Sequence, residues 1–364
     1  MSWGKRGDMI VHSADPLNAE TALAALGENE LTGVDAFYVR NHGPVPRLRP
    51  DLWRLRVDGL VDRPLELSLA GLRDGFCRHE VVAALQCAGN RRADLLAVRQ
   101  IPGELPWGAG AAGNARWTGV RLADVLAEAG IKPGAGHVAF LGADLAAQAS
   151  PPQPFGGSVP LAKALCPEVL LAWAMNGRPL TPVHGAPVRV VVPGYIGARS
   201  VKWVEQITVQ AGPSDNYFQA TAYRLLPPQA DPDAAGPGDG ISLGPFAVNA
   251  SILVPGEHAR VPAGAVAVSG YALAGDGRSV ARVDVSADGG RSWRQACLSP
   301  EVSPWSWRVW RVTLELPPGP TEVTARAWDS SASVQPEDPA QLWNPKGYAN
   351  NAWARLGFTV AGQP

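Results

Sequence analysis

Residues 225–245, LLPPQADPDAAGPGDGISLGP, constrain what this chain can fold into more than any other stretch. Proline fixes φ and removes a backbone donor, and glycine weakens any regular element it enters, so this segment holds neither a helix nor a central strand. It reads as a connection between two folded parts. With 364 residues, the chain is long enough for each part to bury its own core. The predicted division is 1–235 and 240–364.

Helix and strand signals alternate before the connection. From Thr118 to Gly130, the residues Leu122, Val125, Leu126 and Ala129 recur at helical spacing, and Gly130 stands where a C-terminal cap belongs. VVAALQC (81–87) is a short apolar run suited to a buried strand. VLLAWAMNGRPL (169–180) reads as a strand entering a hairpin at Asn176-Gly177, and VRVVV (188–192) as another strand. After the connection only strands are expected. RVDVSADGGRSW (282–293) is a hairpin signature, WRVTLEL (310–316) puts Trp310, Val312, Leu314 and Leu316 on one face, and TEVTARAW (321–328) alternates Val323, Ala325 and Ala327. Short strands at this spacing predict an immunoglobulin-like β-sandwich. Trp293, Trp305, Trp307, Trp310 and Trp328 crowd this half and are read as core and interface packing.

Composition excludes several classes. Hydrophobic residues are 46% and charged residues 18%, which suits a compact globular chain. A formal net charge of −1 gives no field to attract nucleic acid or anionic lipid, so neither is expected as a partner. No run approaches the roughly 18 apolar residues of a membrane span. MSWGKRGDMIVHSADP has no apolar region behind Lys5 and Arg6, so a cytoplasmic location is expected, or a periplasmic one for a processed form.

Cys77, Cys87, Cys166 and Cys297 form no CxxC pair, which argues against a zinc knuckle, an iron–sulfur cluster and attached haem. GAGAAG (108–113) matches the GxGxxG dinucleotide pattern in letters only. QIPGELPW ahead of it is no strand, and Gly119 interrupts the helix that should follow. QCAGNRR (86–92) is more informative. A cysteine at the end of a buried strand is followed by a small-residue turn and two arginines, whose charge favours the metal-binding thiolate. By its own surroundings Cys87 reads either so or as an inert core thiol.

CAGNRR resembles the molybdenum-ligand motif of the sulfite oxidase and plant nitrate reductase family. FYVRNHGPVP (37–46), GNARWTGVRL (113–122), PVRVVVPGYIGARSVKW (187–203), DSSASVQP (329–336) and WNPKGYANNAW (343–353) are similar to further motifs of that family, in the same order. The resemblance implies an α+β chain: a mixed α/β molybdenum-cofactor domain (1–235), then an immunoglobulin-like sandwich (240–364) through which a homodimer forms. It implies a molybdenum–molybdopterin cofactor with Cys87 as the protein ligand to the metal. Cofactor contacts fall on Phe37, Tyr38, Val39, Arg40, Asn41, His42, Asp144, His184, Arg189, Ser200, Val201 and Lys202. Guanidinium groups suit such a cofactor's phosphate. Anion-binding positions fall on Arg40 and Arg92, the active-site tyrosine on Tyr223, and Trp107 is expected to line the same pocket. Two positions depart from the pattern. LAAQASPPQPF after Asp144 lacks the family's acidic, glycine-containing character, and Lys346 stands where sulfite oxidases carry arginine, keeping the charge but losing the planar fork.

Outside the resemblance each residue has a plainer reading: His184 as a loop histidine, the arginines as solvated charges, Tyr223 as a packing residue. With it, the implied activity is oxidation of a small anion, sulfite, by oxygen-atom transfer. About 35 residues precede FYVRNH, too few for a haem domain, so a separate acceptor, a cytochrome or oxygen, is expected. The alternatives are another substrate on the same cofactor, such as nitrate, a sulfoxide or another sulfur compound, and a non-catalytic assembly protein with a dead site.

Overall fold

The computed structural model describes residues 3–362. The cysteine segment ends an antiparallel sheet. Strand Arg78–Gln86 pairs along its length with Ala112–Arg121, which pairs in turn with Leu170–Met175. Leu170–Met175 also takes Arg178–Pro179 and Arg189–Val191 along its other edge. Asn176 and Gly177 have φ of 52° and 75°, the two positive values that a type I′ turn requires, so the hairpin forms where the sequence puts it. The expected helix is shorter at its start: Leu122–Ala129, closed by Gly130 at φ 72°. Thr118 to Arg121 extend the preceding strand, because Val120 and Arg121 pair with Leu171 and Leu170. Tertiary pairing overrides helical spacing there, and a Thr-Gly-Val run has little helix propensity to resist it.

A second five-stranded sheet runs Leu65–Ser68, Arg54–Gly59, Val204–Gln210, His137–Ala146, Gln153–Pro160, antiparallel apart from the Arg54–Gly59 and Val204–Gln210 pair. The helix Leu122–Ala129 buries Leu122, Val125 and Leu126 into the core with Val57, Phe140, Val159 and Ile207. Each such side chain contributes about 1.5–3 kcal/mol by leaving water.

The C-terminal half is a sandwich. One sheet runs Asn249–Val254, Gly264–Leu273, Arg308–Leu316, Cys297–Leu298. The other runs Arg260–Pro262, Ala354–Ala361, Gly319–Asp329, Val280–Ser286, Arg294–Gln295. Alternate residues of both meet in one core, among them Trp310, Leu314, Leu316, Val323, Ala325 and Ala327. Val312 is only partly buried at its edge. Among the described residues no helix is long and apolar enough to cross a membrane.

The Pro/Gly-rich connection folds back on itself. Arg224–Leu225 pairs with Ile241–Ser242, and Arg199, 1% exposed, donates to the Leu243 carbonyl at 2.8 Å. The halves are not independent beads. Leu243, Phe246, Leu253, Tyr271 and Trp307 join the first core, and the Trp305 carbonyl accepts from Ala84 N–H on the outer edge of the Arg78–Gln86 strand. Arg91, buried with a left-handed backbone (φ 61°), donates to the carbonyls of Ala352 (2.7 Å) and Trp353 (2.9 Å) and pairs with Asp94. Asn350 returns a bond to the Arg91 carbonyl at 2.8 Å. Replacing Arg91 by Met takes its donor from the Trp353 carbonyl, leaves Ala352 with only Gln335 (2.9 Å) and unpairs Asp94, and should destabilise the fold by about 2 kcal/mol. A urea denaturation midpoint equal to that of the wild type would show that this bolt carries no weight.

Candidate functional site

The five-residue turn Cys87–Arg91 after the Arg78–Gln86 strand is fixed from three sides. Cys87 N–H donates to the Ala111 carbonyl (2.9 Å), Arg91 N–H to Gly108 (2.8 Å), and Ala349 N–H, from the C-terminal half, to Ala88 (2.8 Å). The Gly108–Gly110 segment is itself clamped: the buried Glu20 carboxylate accepts from the N–H groups of Gly108 (3.1 Å) and Gly110 (3.2 Å). Those are the donors a dinucleotide phosphate would need, and the segment runs into strand Ala112–Arg121 rather than a helix. The turn thus holds Cys87 at the wall of a cleft of about 650 Å³, part of it open to solvent.

Thirteen of the expected site residues line that one cleft: Phe37 to His42, Cys87, Asp144, His184, Arg189, Ser200, Lys202 and Tyr223. Four do not. Trp107 is fully buried behind the cysteine turn, its ring edge-on to His12 at 4.7 Å, so it supports the turn rather than facing the cleft. Val201 points into the core, and its carbonyl accepts from Val190 N–H. Arg92 is 2% exposed and donates to the carbonyls of Lys346 (3.0 Å) and Leu105 (2.9 Å). It also pairs with Glu104 at 3.1 Å and lies 5.1 Å over the Tyr348 ring. Lys346 is half-buried and meets Arg92 through its carbonyl. Arg92 fits only because two neighbours lack side chains: a Cβ on Gly89 would lie 2.7 Å from its Cζ, and one on Gly347 2.6 Å from its Cγ.

Two expectations about charge change. Arg91 turns toward the sandwich, so Arg40 and Arg92 are the guanidiniums that act on the thiol. Burial pushes the Cys87 thiol above its ordinary value, with Arg40 and Arg92 pulling against it. Desolvation therefore outweighs the arginines, and a metal bound here would have to displace the thiol proton.

The remaining charges are arranged for an anion. Arg40, Arg189 and Lys202 line the cleft and Asp144 is the one acid among its lining residues. Backbone carbonyls, rather than carboxylates, hold two of them. Arg189 donates to Ser200 O (2.9 Å) and His184 O (3.3 Å). Lys202 donates to Arg40 O (3.1 Å) and Val183 O (3.3 Å), and also to the Asn41 side-chain oxygen. Burial lowers Arg189 to about 10 and takes Lys202 well below its ordinary value, with Asp144 opposing. Asp144 is pushed up to about 6 by burial, against the pull of Lys202, and its buried Oδ1 has no hydrogen-bond partner among the described residues. An unmet buried acceptor beside surplus buried cations suits a ligand that offers N–H donors at one end and an anionic group at the other. A pterin bearing a phosphate has that character, so these residues fit the cofactor implied by the resemblance.

Tyr223 closes the other side. Its hydroxyl lies 2.7 Å from His42 Nε2, its ring stacks on Tyr348 at 5.4 Å, and burial raises its pKa to about 12, so the phenol keeps its proton at neutral pH. His42 is driven well below its ordinary value by burial and by Arg40, so it is neutral. Sequence reasoning missed Lys5, Glu20 and Tyr348 as supports, and Phe155, Val183 and Trp203 as lining residues. Tyr348 could have been found, since it stands inside WNPKGYANNAW. Nothing in the spacing of Lys5 or Glu20 points to the cleft.

Comparison with known proteins gives the family of the chain. Residues 42–218 match the oxidoreductase molybdopterin binding domain family, and residues 242–360 the Mo-co oxidoreductase dimerisation domain family. Sulfite oxidase of Gallus gallus is 43% identical over 95% of this chain and 76% of its own length. That of Arabidopsis thaliana is 38% identical over 95% and 92%. Mitochondrial sulfite oxidase of Homo sapiens is 42% identical over 96% of this chain, which spans 66% of the human protein. Among solved structures, the sulfane dehydrogenase SoxCD from Paracoccus pantotrophus superposes with a TM-score of 0.82 at 27% identity, covering 97% of this chain and 87% of that one. This chain therefore belongs to the sulfite oxidase family of molybdopterin oxidoreductases, and its cofactor is molybdenum–molybdopterin.

Proposed function

We propose that this chain oxidises sulfite to sulfate, with water supplying the oxygen balance and two protons and two electrons released. The observation that carries this reading is one cleft lined together by Cys87, Arg40 and Tyr223, with the Arg92 guanidinium buried in the same turn as the thiol. Bound molybdenum–molybdopterin supplies two-electron oxygen-atom transfer. Cys87 gives the metal its protein thiolate. Arg40 lines the pocket and provides cationic charge for a small dianion where such charge acts strongly, while Arg92, paired with Glu104, and Lys346 add to it from behind the wall. Tyr223, kept protonated by burial, offers a hydroxyl to an oxygen of the substrate, and neutral His42 accepts from it in the substrate's absence. The cofactor itself would be held by Phe37 to His42, Asp144, His184, Arg189, Ser200 and Lys202, which line the same cleft. Electrons leave to a separate acceptor, a cytochrome or oxygen. Residues 1–235 form the catalytic unit, and 240–364 join two copies of the chain.

Three measurements check this reading. Protein from a cofactor-competent host should reduce ferricyanide in the presence of sulfite, and Cys87→Ser should lose more than about 100-fold, beyond what outer-shell changes at metal sites cost. No sulfite-dependent turnover at full molybdenum content would retire sulfite in favour of another sulfur compound. Light scattering at micromolar concentration should return about twice the chain mass, and a monomer mass would remove the dimer.

The third concerns Asp144, whose folded pKa is raised from 3.8 to about 6. Between those values the folded protein binds a proton that the unfolded chain has lost. Stability from this group therefore falls as pH rises through that window and stays low above it. In cofactor-free protein, the stability of wild type relative to Asp144→Asn should drop by on the order of 1–3 kcal/mol between pH 4 and 6. Parallel melting curves across that range would show that Asp144 is not held against its ionisation.

A further inference from the structure

The segment ahead of strand Ile10–Ala14 has no part in the site as read from the sequence, yet it carries a lysine that is only 9% exposed. Lys5 Nζ donates to the carbonyls of Val34 (2.7 Å) and Phe37 (2.8 Å), and lies 2.5 Å from His184 Nε2. Three partners use all three N–H donors of an ammonium. Burial lowers Lys5 to about 7, with Asp35 opposing. His184 is driven well below its ordinary value, first by burial and then by Lys5, Arg189 and Lys202. The lysine is the stronger base of the two, so below about pH 7 the proton between them stays with it.

His184 Nε2 is also 3.3 Å from the Val34 carbonyl. A neutral imidazole there has two forms. With the proton on Nε2 it donates to Val34, and Nδ1 is a bare acceptor. With the proton on Nδ1, Nε2 accepts from Lys5. An ammonium with two N–H groups on the Val34 and Phe37 carbonyls has its third for Nε2 at 2.5 Å, which leaves no place there for a second proton, so the ammonium selects the other form. Nδ1 makes no hydrogen bond among the described residues, and His184 lines the cleft.

We propose that Lys5 is a positioning residue that sets the tautomer of His184, so that Nδ1–H faces the cleft as a donor to the anionic, phosphate-bearing end of the cofactor. This rests on reading His184 as a cofactor contact. Through the Phe37 carbonyl the same ammonium anchors the start of the FYVRNH segment, which carries Arg40. Replacing Lys5 by Met removes the donors at similar volume. The imidazole then gains Nε2–H toward Val34, and Nδ1 turns a lone pair toward the cofactor's oxygens.

The test uses holoenzyme labelled with ¹⁵N-histidine, with the His184 signals assigned among six histidines by His184→Gln. Wild type should show the Nδ1–H form, and Lys5→Met the Nε2–H form. Cofactor affinity, read as molybdenum retained per chain through gel filtration and dilution, should fall at least about tenfold in Lys5→Met. Lys5→Arg, which keeps a cationic donor, should restore both. An unchanged His184 signal in Lys5→Met overturns the proposal. A switched tautomer with undiminished molybdenum overturns the cofactor contact of His184 instead. Should Lys5→Met fail to accumulate, an Nε2–H signal in wild type alone overturns the assignment.

Discussion

Three cations and one carboxylate share the wall of a single cleft, and most of the surrounding structure follows from keeping that arrangement folded. Arg40, Arg189 and Lys202 are drawn out of water there with only Asp144 as counter-charge. An isolated buried charge would cost many kcal/mol, so something must stand in for water. Backbone carbonyls do so: Ser200 and His184 for Arg189, Arg40 and Val183 for Lys202, Val34 and Phe37 for Lys5 behind them. A carbonyl stabilises an ammonium without cancelling its charge. A carboxylate in the same place would have neutralised the pocket. The site thus stays attractive to an anion, and it does so at the expense of depressed pKa values in Lys202 and Arg189.

The same economy explains the cysteine turn. The metal-ligand role proposed for Cys87 asks for a fixed thiol rather than a flexible loop, because a ligand's position decides the geometry it can offer. Ala111, Gly108 and Ala349 fix its backbone from three directions, and Glu20 fixes the Gly108–Gly110 segment in turn. One strand end, one clamped turn and one segment from the far half of the chain therefore meet at a single residue. Arg91 and Arg92, adjacent in sequence, diverge because Arg91 takes a left-handed backbone. One guanidinium ties the halves together while the other stays under the cleft.

Much of this was legible in the sequence, for identifiable reasons. The Asn176-Gly177 hairpin, the Gly130 cap and the alternating strands of the sandwich are local signals, and local physics decided them. The family resemblance gathered thirteen residues that do line one cleft, although they come from segments as distant as Phe37 and Tyr223. What failed was direction. Spacing does not tell which way a side chain turns, so Trp107 was expected in the cleft and lies behind it, and both arginines were expected at the thiol although only one stays there. The balance of burial against charge at Cys87 was also out of reach, since it depends on how much water the folded wall removes. Lys5 and Glu20 act through contacts spanning 179 and 88 residues, and no periodicity encodes such pairs.

The C-terminal half supplies more than a face for a second copy. Asn344 closes a turn, accepting from Tyr348 N–H at 3.1 Å and donating to the Tyr348 carbonyl at 2.9 Å, so residues 344–348 form a rigid finger. Its tip reaches Arg92 through the Lys346 carbonyl, and its Tyr348 ring lies between Arg92 and Tyr223. Arg92 is thereby held by both halves at once. Any shift of the sandwich relative to the first sheet would move the buried guanidinium and the stacked tyrosine together. The connection at 225–245 is exposed along its middle but tied at its end, where Leu243 N–H donates to the Tyr223 carbonyl at 3.0 Å. Arg91, Arg92 and the 344–348 finger set the relation between the halves at the site itself.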